Sequence, residues 1–143
     1  MSSSFIMRIP GKSGKYWITC GGDFERAVKG TISYLEKSCP DMVEDLLLDV
    51  NYMTGMGYSS KYMAFDEEKH FLEALKLSYP DREKEIAQLP DGSDQKKYLL
   101  EIFLPKFCEL IAMIEEEVRD IERGRLIVQE DGSAIVNESF NEE

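Results

Sequence analysis

Apolar positions recur every three to four residues through most of this chain and gather into short β-forming runs near its two ends. Phe24, Ala27, Val28, Thr31, Ile32 and Leu35 line one side of a helix predicted over residues 24–37, leaving Glu25, Arg26, Lys29 and Glu36 to water. Asp23 stands where an N-cap accepts backbone N–H bonds. Gly30 weakens this helix by up to ~1 kcal/mol relative to alanine. Pro40 suits the first turn of a second helix, over residues 40–53, with Met42, Val43, Leu46, Leu47 and Val50 inward. Asp66 is expected to cap a third over residues 67–79, whose inner stripe is Phe71, Ala74, Leu75, Ser78 and Tyr79. Pro80 restarts a short polar helix to about Leu89, and Pro90-Asp91-Gly92-Ser93 makes a turn.

The longest helix is predicted over residues 94–123. Leu100, Leu104, Phe107, Ile111, Ile114, Val118 and Ile121 recur at alternating steps of four and three, an a/d heptad seam. Behind the second half of that seam stand Glu115, Glu116, Glu117, Asp120 and Glu122. A parallel self-pair would set Glu beside Glu at the flanking positions, which argues against a simple homodimeric coiled coil. Pro105 removes one backbone hydrogen bond and clashes with the carbonyl of Glu101, at a cost of ~3 kcal/mol or more unless the helix kinks or breaks there.

Runs rich in β-forming residues occupy residues 5–9 and 15–19 around Pro10-Gly11-Lys12-Ser13-Gly14, and residues 125–128 and 134–136 around Glu130-Asp131-Gly132-Ser133. The resulting order is two strands, four or five helices and two strands. It predicts an α+β, helix-dominated single domain over residues 1–143, with an N-terminal and a C-terminal β-hairpin. Lone hairpins are marginal in water. The two are therefore expected to join in one small antiparallel sheet, the preferred arrangement, or to pack separately on the helices. Residues 139–143 read as a frayed tail.

Length and composition agree with that picture. The chain's 143 residues, 43% hydrophobic and 31% charged, can bury a core without metal or disulfide staples. No run approaches the ~18–20 apolar residues of a membrane span, and no secretion signal opens the chain. Cys20, Cys39 and Cys108 are odd in number and widely spaced, which suits a reducing compartment, so a cytoplasmic location is expected.

Charge is the uneven feature. Residues 1–40 carry six Lys/Arg against three Asp/Glu, and residues 41–143 carry 11 against 25, for a net charge of −11. Such a chain repels free nucleic acid and anionic membrane and is drawn to basic surfaces.

No catalytic, cofactor or metal signature stands in the sequence. Gly11-Lys12-Ser13 lacks the glycine five residues ahead that a phosphate loop needs, the position being Ile6, and a strand follows it. His70 is the only histidine, so Glu67-x-x-His70 cannot be completed to a di-iron set, and multi-histidine zinc sites are excluded. Cys20-Gly21-Gly22-Asp23 could acidify a thiol at a helix start, but a structural strand-to-helix turn is the better account. Arg8, Lys12, Lys15, Tyr16 and Trp17 form a basic, aromatic N-terminal patch able to stack on a nucleic-acid strand, a role the net charge opposes. The segment from Tyr52 to Met63 mixes tyrosine and methionine with glycines, and either plugs the core or presents a contact loop.

The expected function is a non-enzymatic acidic inhibitor, comparable to toxin-immunity or phage anti-defence proteins. It would block a basic surface of a nuclease or other nucleic-acid-binding protein by presenting carboxylates where phosphates sit. Its expected contacts are Glu115, Glu116, Glu117, Asp120 and Glu122 for charge, with Met56, Tyr58 and Tyr62 as anchors. The sequence implies no cofactor, no metal, no direct nucleic acid, no membrane, and a monomer or weak homodimer. Two alternatives are a small-ligand-binding protein or enzyme with a site near Cys20, and a scaffolding subunit that uses the heptad helix.

Overall fold

The computed structural model describes residues 2–6, 8, 16–52 and 58–140. The element order is β1 (Ser2–Ile6), β2 (Tyr16–Cys20), α1 (Gly21–Leu35), α2 (Pro40–Tyr52), β3 (Tyr58–Ser59), α3 (Phe65–Ala87), α4 (Asp94–Tyr98), α5 (Leu104–Glu122), β4 (Leu126–Val128) and β5 (Ala134–Val136). This is a helix-dominated α+β arrangement. β1 pairs antiparallel with β2, Ser2 opposite Cys20 and Ile6 opposite Tyr16. β1 also takes a short parallel partner in β3, Phe5 opposite Tyr58.

β4 and β5 pair antiparallel as a separate two-stranded sheet. Among the described residues the preferred single joined sheet is therefore not formed. One backbone bond, from Ala134 N–H to the Arg8 carbonyl at 3.1 Å, spans the gap between the N-terminal segment and the C-terminal strands. β1 begins earlier than its apolar residues indicated, because Ser2, Ser3 and Ser4 are held by ladder bonds to β2. The connection over residues 9–15 lies outside the described residues.

The core lies among the helices. α1 contributes Ala27, Val28 and Leu35, α2 Met42 and Leu46, and α3 Phe71 and Leu75, all nearly or fully buried. Phe103 and Phe107 meet edge to face at 5.7 Å, and Tyr79 meets Phe107 at 5.5 Å. Thr31 on α1 and Ser78 on α3 share a buried hydroxyl contact at 3.1 Å. Each also donates to a carbonyl of its own helix or shares its proton across the pair, so neither is stranded.

Four local expectations are corrected. α1 starts at Gly21, so Asp23 sits inside the first turn, where its carboxylate takes Arg26 at 3.0 Å and the Tyr98 hydroxyl at 2.6 Å. α3 starts at Phe65, with Glu67 accepting the Ala64 N–H at 2.8 Å, so Asp66 is a first-turn residue and not the cap. α3 also runs through Pro80 without restarting; burial of Ile86 beyond the proline offsets the lost backbone bond. The tail is held by a turn as far as Phe140, whose N–H donates to the Asn137 carbonyl at 3.0 Å, while residues 141–143 lie outside the described set.

The helical path predicted over residues 94–123 runs on through the proline but changes its winding there. Between α4 and α5, Leu99–Phe103 forms a π-helical turn in which the Leu104 N–H reaches the Leu99 carbonyl. That turn lies directly ahead of Pro105 and absorbs the missing donor. It also slips the helix by one residue. Of the predicted seam, Leu104, Phe107, Ile114 and Val118 are buried, whereas its first residue, Leu100, is 47% exposed and Leu99 and Phe103 take the inward positions.

Gly30 has a packing reason. The Arg82 guanidinium of α3 lies across it, and a Cβ there would fall 1.5 Å from the Arg82 terminal nitrogen.

Candidate functional site

The acidic residues expected on one outer face of α5 separate into three groups. Glu116 and Glu122 are exposed, and Asp120 is half-buried, its backbone carbonyl accepting the Arg125 N–H at 2.8 Å. Glu115 is bridged to Lys76 of α3 at 2.5 Å, with Arg119 at 3.9 Å. The lysine holds the Glu115 carboxyl below the usual carboxylate range, and Glu115 in turn raises the Lys76 ammonium. Glu115 and Lys76 also line two adjoining hollows between α3 and α5, of about 460 and 280 Å³. In the larger one Lys69, Lys76 and Arg119 alternate with Glu73, Glu115 and Glu122, so its charges are largely matched.

Glu117 is the third case and a correction. It points inward at 5% exposure and is unavailable to an outside partner. Its Oε2 accepts the main-chain N–H of Arg8 at 3.1 Å, and its Oε1 accepts the Ser60 hydroxyl at 2.7 Å. α5 turns this position onto its buried side beside Ile114 and Val118.

Arg8 is likewise not part of an exposed basic patch; it is 1% exposed. Its Nε donates to Glu68 Oε1 at 3.0 Å and lies 3.4 Å from Glu117 Oε1. Its two terminal nitrogens donate to the Gly132 carbonyl at 2.9 Å and the Met63 carbonyl at 2.7 Å. Of the rest of the proposed patch, Lys12 and Lys15 lie outside the described residues, and Tyr16 and Trp17 have a backbone place in β2.

Glu68 on α3 completes the cluster, fully buried, with its Oε2 lacking a hydrogen-bond partner. Burial above all, and then the neighbouring Glu117 carboxylate, push the Glu68 carboxyl up to about 9, with Arg8 pulling the other way. Arg8 loses that contest because most of its donors serve backbone carbonyls. A neutral Glu68 also explains the orphan oxygen, since an anionic oxygen without a donor is the costlier one to bury.

The loop candidates divide as well. Tyr62 is 70% exposed and ends a 3-10 turn, Ser60–Tyr62, started by the Ser59 hydroxyl accepting the Lys61 N–H at 3.1 Å. The Ser60–Glu117 bond ties this turn to the acidic half of α5. Tyr58 has a backbone place in β3. Met56 lies outside the described residues, as do the side chains of Tyr58 and Cys20. Cys20 ends β2 one residue before α1 begins. His70 is exposed, and Glu67 is engaged at the Ala64 cap. Among the described residues no group of three or more His, Cys, Asp or Glu could hold a metal ion. Among them too, no helix is long and apolar enough to cross a membrane.

The buried cluster left a trace in the sequence. Arg8 is a lone cation inside an apolar run, and Glu117 falls three residues after Ile114, where a core residue would sit. Glu68 likewise falls three residues before Phe71, in phase with the inner stripe of α3.

No protein-family model, curated protein or solved structure matches this chain.

Proposed function

We propose that the protein is a non-enzymatic acidic inhibitor that covers a basic surface of a nuclease or other nucleic-acid-handling protein. The observation that carries this reading is the net charge of −11, concentrated beyond residue 40. Glu116 and Glu122, with Asp120 at the margin, supply the carboxylates on α5, and exposed Tyr62 is the described anchor. Carboxylates so presented compete with phosphates for Lys and Arg and speed encounter with a basic partner. Glu117 leaves the contact set because it is interior, and Glu115 contributes less because Lys76 already neutralises it. Met56 and Tyr58 remain proposed anchors.

The test is a pull-down from host lysate at low and at high salt, with captured proteins identified by mass spectrometry. A basic nucleic-acid enzyme held at low salt and released at high salt is the expected result. Recovery of the chain alone would overturn the proposal.

A scaffolding reading has one observation in its favour. Ile127 and Ile135 oppose each other on β4 and β5 at 43% and 52% exposure, with Val136 at 55% beside them. That patch, and not the heptad helix, would carry an apolar contact, since Leu104, Phe107, Ile114 and Val118 are buried. Its partner would survive high salt.

A further inference from the structure

Arg8 is where the N-terminal segment meets three distant parts of the chain. Its main-chain N–H and carbonyl bind Glu117 of α5 and Ala134 of β5. Its guanidinium reaches Glu68 of α3, the Met63 carbonyl after the 3-10 turn, and the Gly132 carbonyl in the β4–β5 loop. Each of these attachments is polar, whereas α3 and α5 are joined to the other helices through the apolar core.

The charge balance of the cluster allows two states. With one proton shared between the two carboxyl groups, a single guanidinium neutralises the remaining anion. Without it, two carboxylates face one cation at sites no more than 5% exposed. Like charges in one buried site repel, and an uncompensated buried anion must be hydrated or moved. Glu68 Oε2 has no donor to receive it.

Nothing else described nearby can stand in for that proton. On α3, Glu67 holds the Ala64 N–H, and Lys69 pairs with Asp66 at 3.5 Å. Lys61 of the 3-10 turn and Glu116 of α5 are exposed. In the β4–β5 loop, Asp131 is exposed and accepts from the Ser133 N–H and hydroxyl. Ser60 supplies a hydroxyl already bonded to Glu117.

We propose that Arg8, Glu68 and Glu117 form a proton-operated latch that fastens the N-terminal segment and the β4–β5 hairpin to the helical body, and that loss of its proton in alkaline solution loosens both while the helices stay packed. Water reaches the new anion most easily by lifting the parts tied at Arg8 through polar bonds, which on the hairpin side uncovers only Leu126 and Ala134 among the described residues. Parting α3 from α5 would expose Phe71, Phe107 and Ile114 instead.

Three alanine methyls read the two parts separately. Ala134 reports the hairpin at 4% exposure, and Ala27 and Ala74 report the helical core at 0% and 2%. In methyl NMR of the full chain from pH 6 to 10.5, the Ala134 signal should titrate with a midpoint near 9 while Ala27 and Ala74 hold still. Glu68→Gln, which keeps the acceptor for Arg8 and cannot ionise, should abolish the Ala134 titration. Should that variant not fold, Glu117→Gln should lower the midpoint by about one pH unit or more, because the like charge is gone. An Ala134 signal that never moves, that moves together with Ala27 and Ala74, or that titrates unchanged in the variants would overturn the latch.

Discussion

Replacing Arg8 by Met keeps an unbranched apolar stem of similar reach and removes only the guanidinium. The Met63 and Gly132 carbonyls then lose their donors, and Glu68 and Glu117 lose their counter-charge. An orphaned buried acceptor costs roughly 1–3 kcal/mol, and breaking one side of a buried ion pair about 3–5 kcal/mol. These figures overlap, because Glu117 keeps the main-chain N–H of residue 8 and the Ser60 hydroxyl, so a total of about 3–5 kcal/mol is expected. Urea unfolding followed by circular dichroism measures it. With a slope of ~2 kcal/mol per molar urea, the midpoint should fall by about 2 M. Arg8→Lys should recover less than half, since one ammonium cannot serve Glu68, Met63 and Gly132 in their separate directions. A loss below about 1 kcal/mol for Arg8→Met would refute the view that this cluster secures the N-terminal segment, because typical surface substitutions reach that range.

Three further outcomes follow from particular contacts. Folding raises the Glu68 carboxyl from 4.5 to about 9, so its contribution to stability is complete below about pH 4.5 and is lost as pH climbs toward 9. Glu68→Gln should therefore flatten the alkaline fall in unfolding free energy, by on the order of 3 kcal/mol between pH 4.5 and 7 were it the sole contributor; parallel curves for variant and wild type would count against a buried neutral Glu68. Gly132→Ala should destabilise by at least ~1–3 kcal/mol in thermal unfolding, because φ is +89° and the new Cβ would meet the Lys61 carbonyl oxygen at 2.0 Å. Gly30→Ala should instead be neutral or stabilising by up to ~1 kcal/mol, as the obstructing atoms are the movable end of Arg82; a loss above 2 kcal/mol would mean that Arg82 is fixed there.

The helices were legible because their packing faces obey the 3.6-residue period, as in Ala27, Val28 and Leu35 or Phe71 and Leu75. The predicted seam holds within α5 and fails only at Leu100 ahead of it, for a local reason. A heptad projection assumes uniform winding, and the π-turn before Pro105 adds a residue that no periodicity carries. Pro80 misled for the opposite reason, since tertiary burial of Ile86 outweighed a local breaker. The N-terminal hairpin was legible, but the start of β1 was hidden by its serines, whose pairing with β2 depends on partners far along the chain.

The candidate site was less legible still. Residue type says that Glu116 and Glu117 are equal, yet one is exposed and the other buried; helical phase with Ile114 turns Glu117 inward, and Arg8 and Ser60 supply its partners there. That difference redirects mutagenesis. Changing Glu117 would test folding, whereas Glu116, Asp120 and Glu122 can be neutralised with the core intact.

The most direct measurement is therefore the affinity for the basic protein recovered by pull-down, titrated against salt for the wild type and for a Glu116→Gln, Asp120→Asn, Glu122→Gln variant of unchanged stability. An acidic inhibitor should lose affinity steeply with rising salt, and the variant should bind at least tenfold more weakly at low salt with a shallower slope. Equal affinities for the two proteins, or binding insensitive to salt, would contradict the account and favour an apolar contact at Ile127 and Ile135.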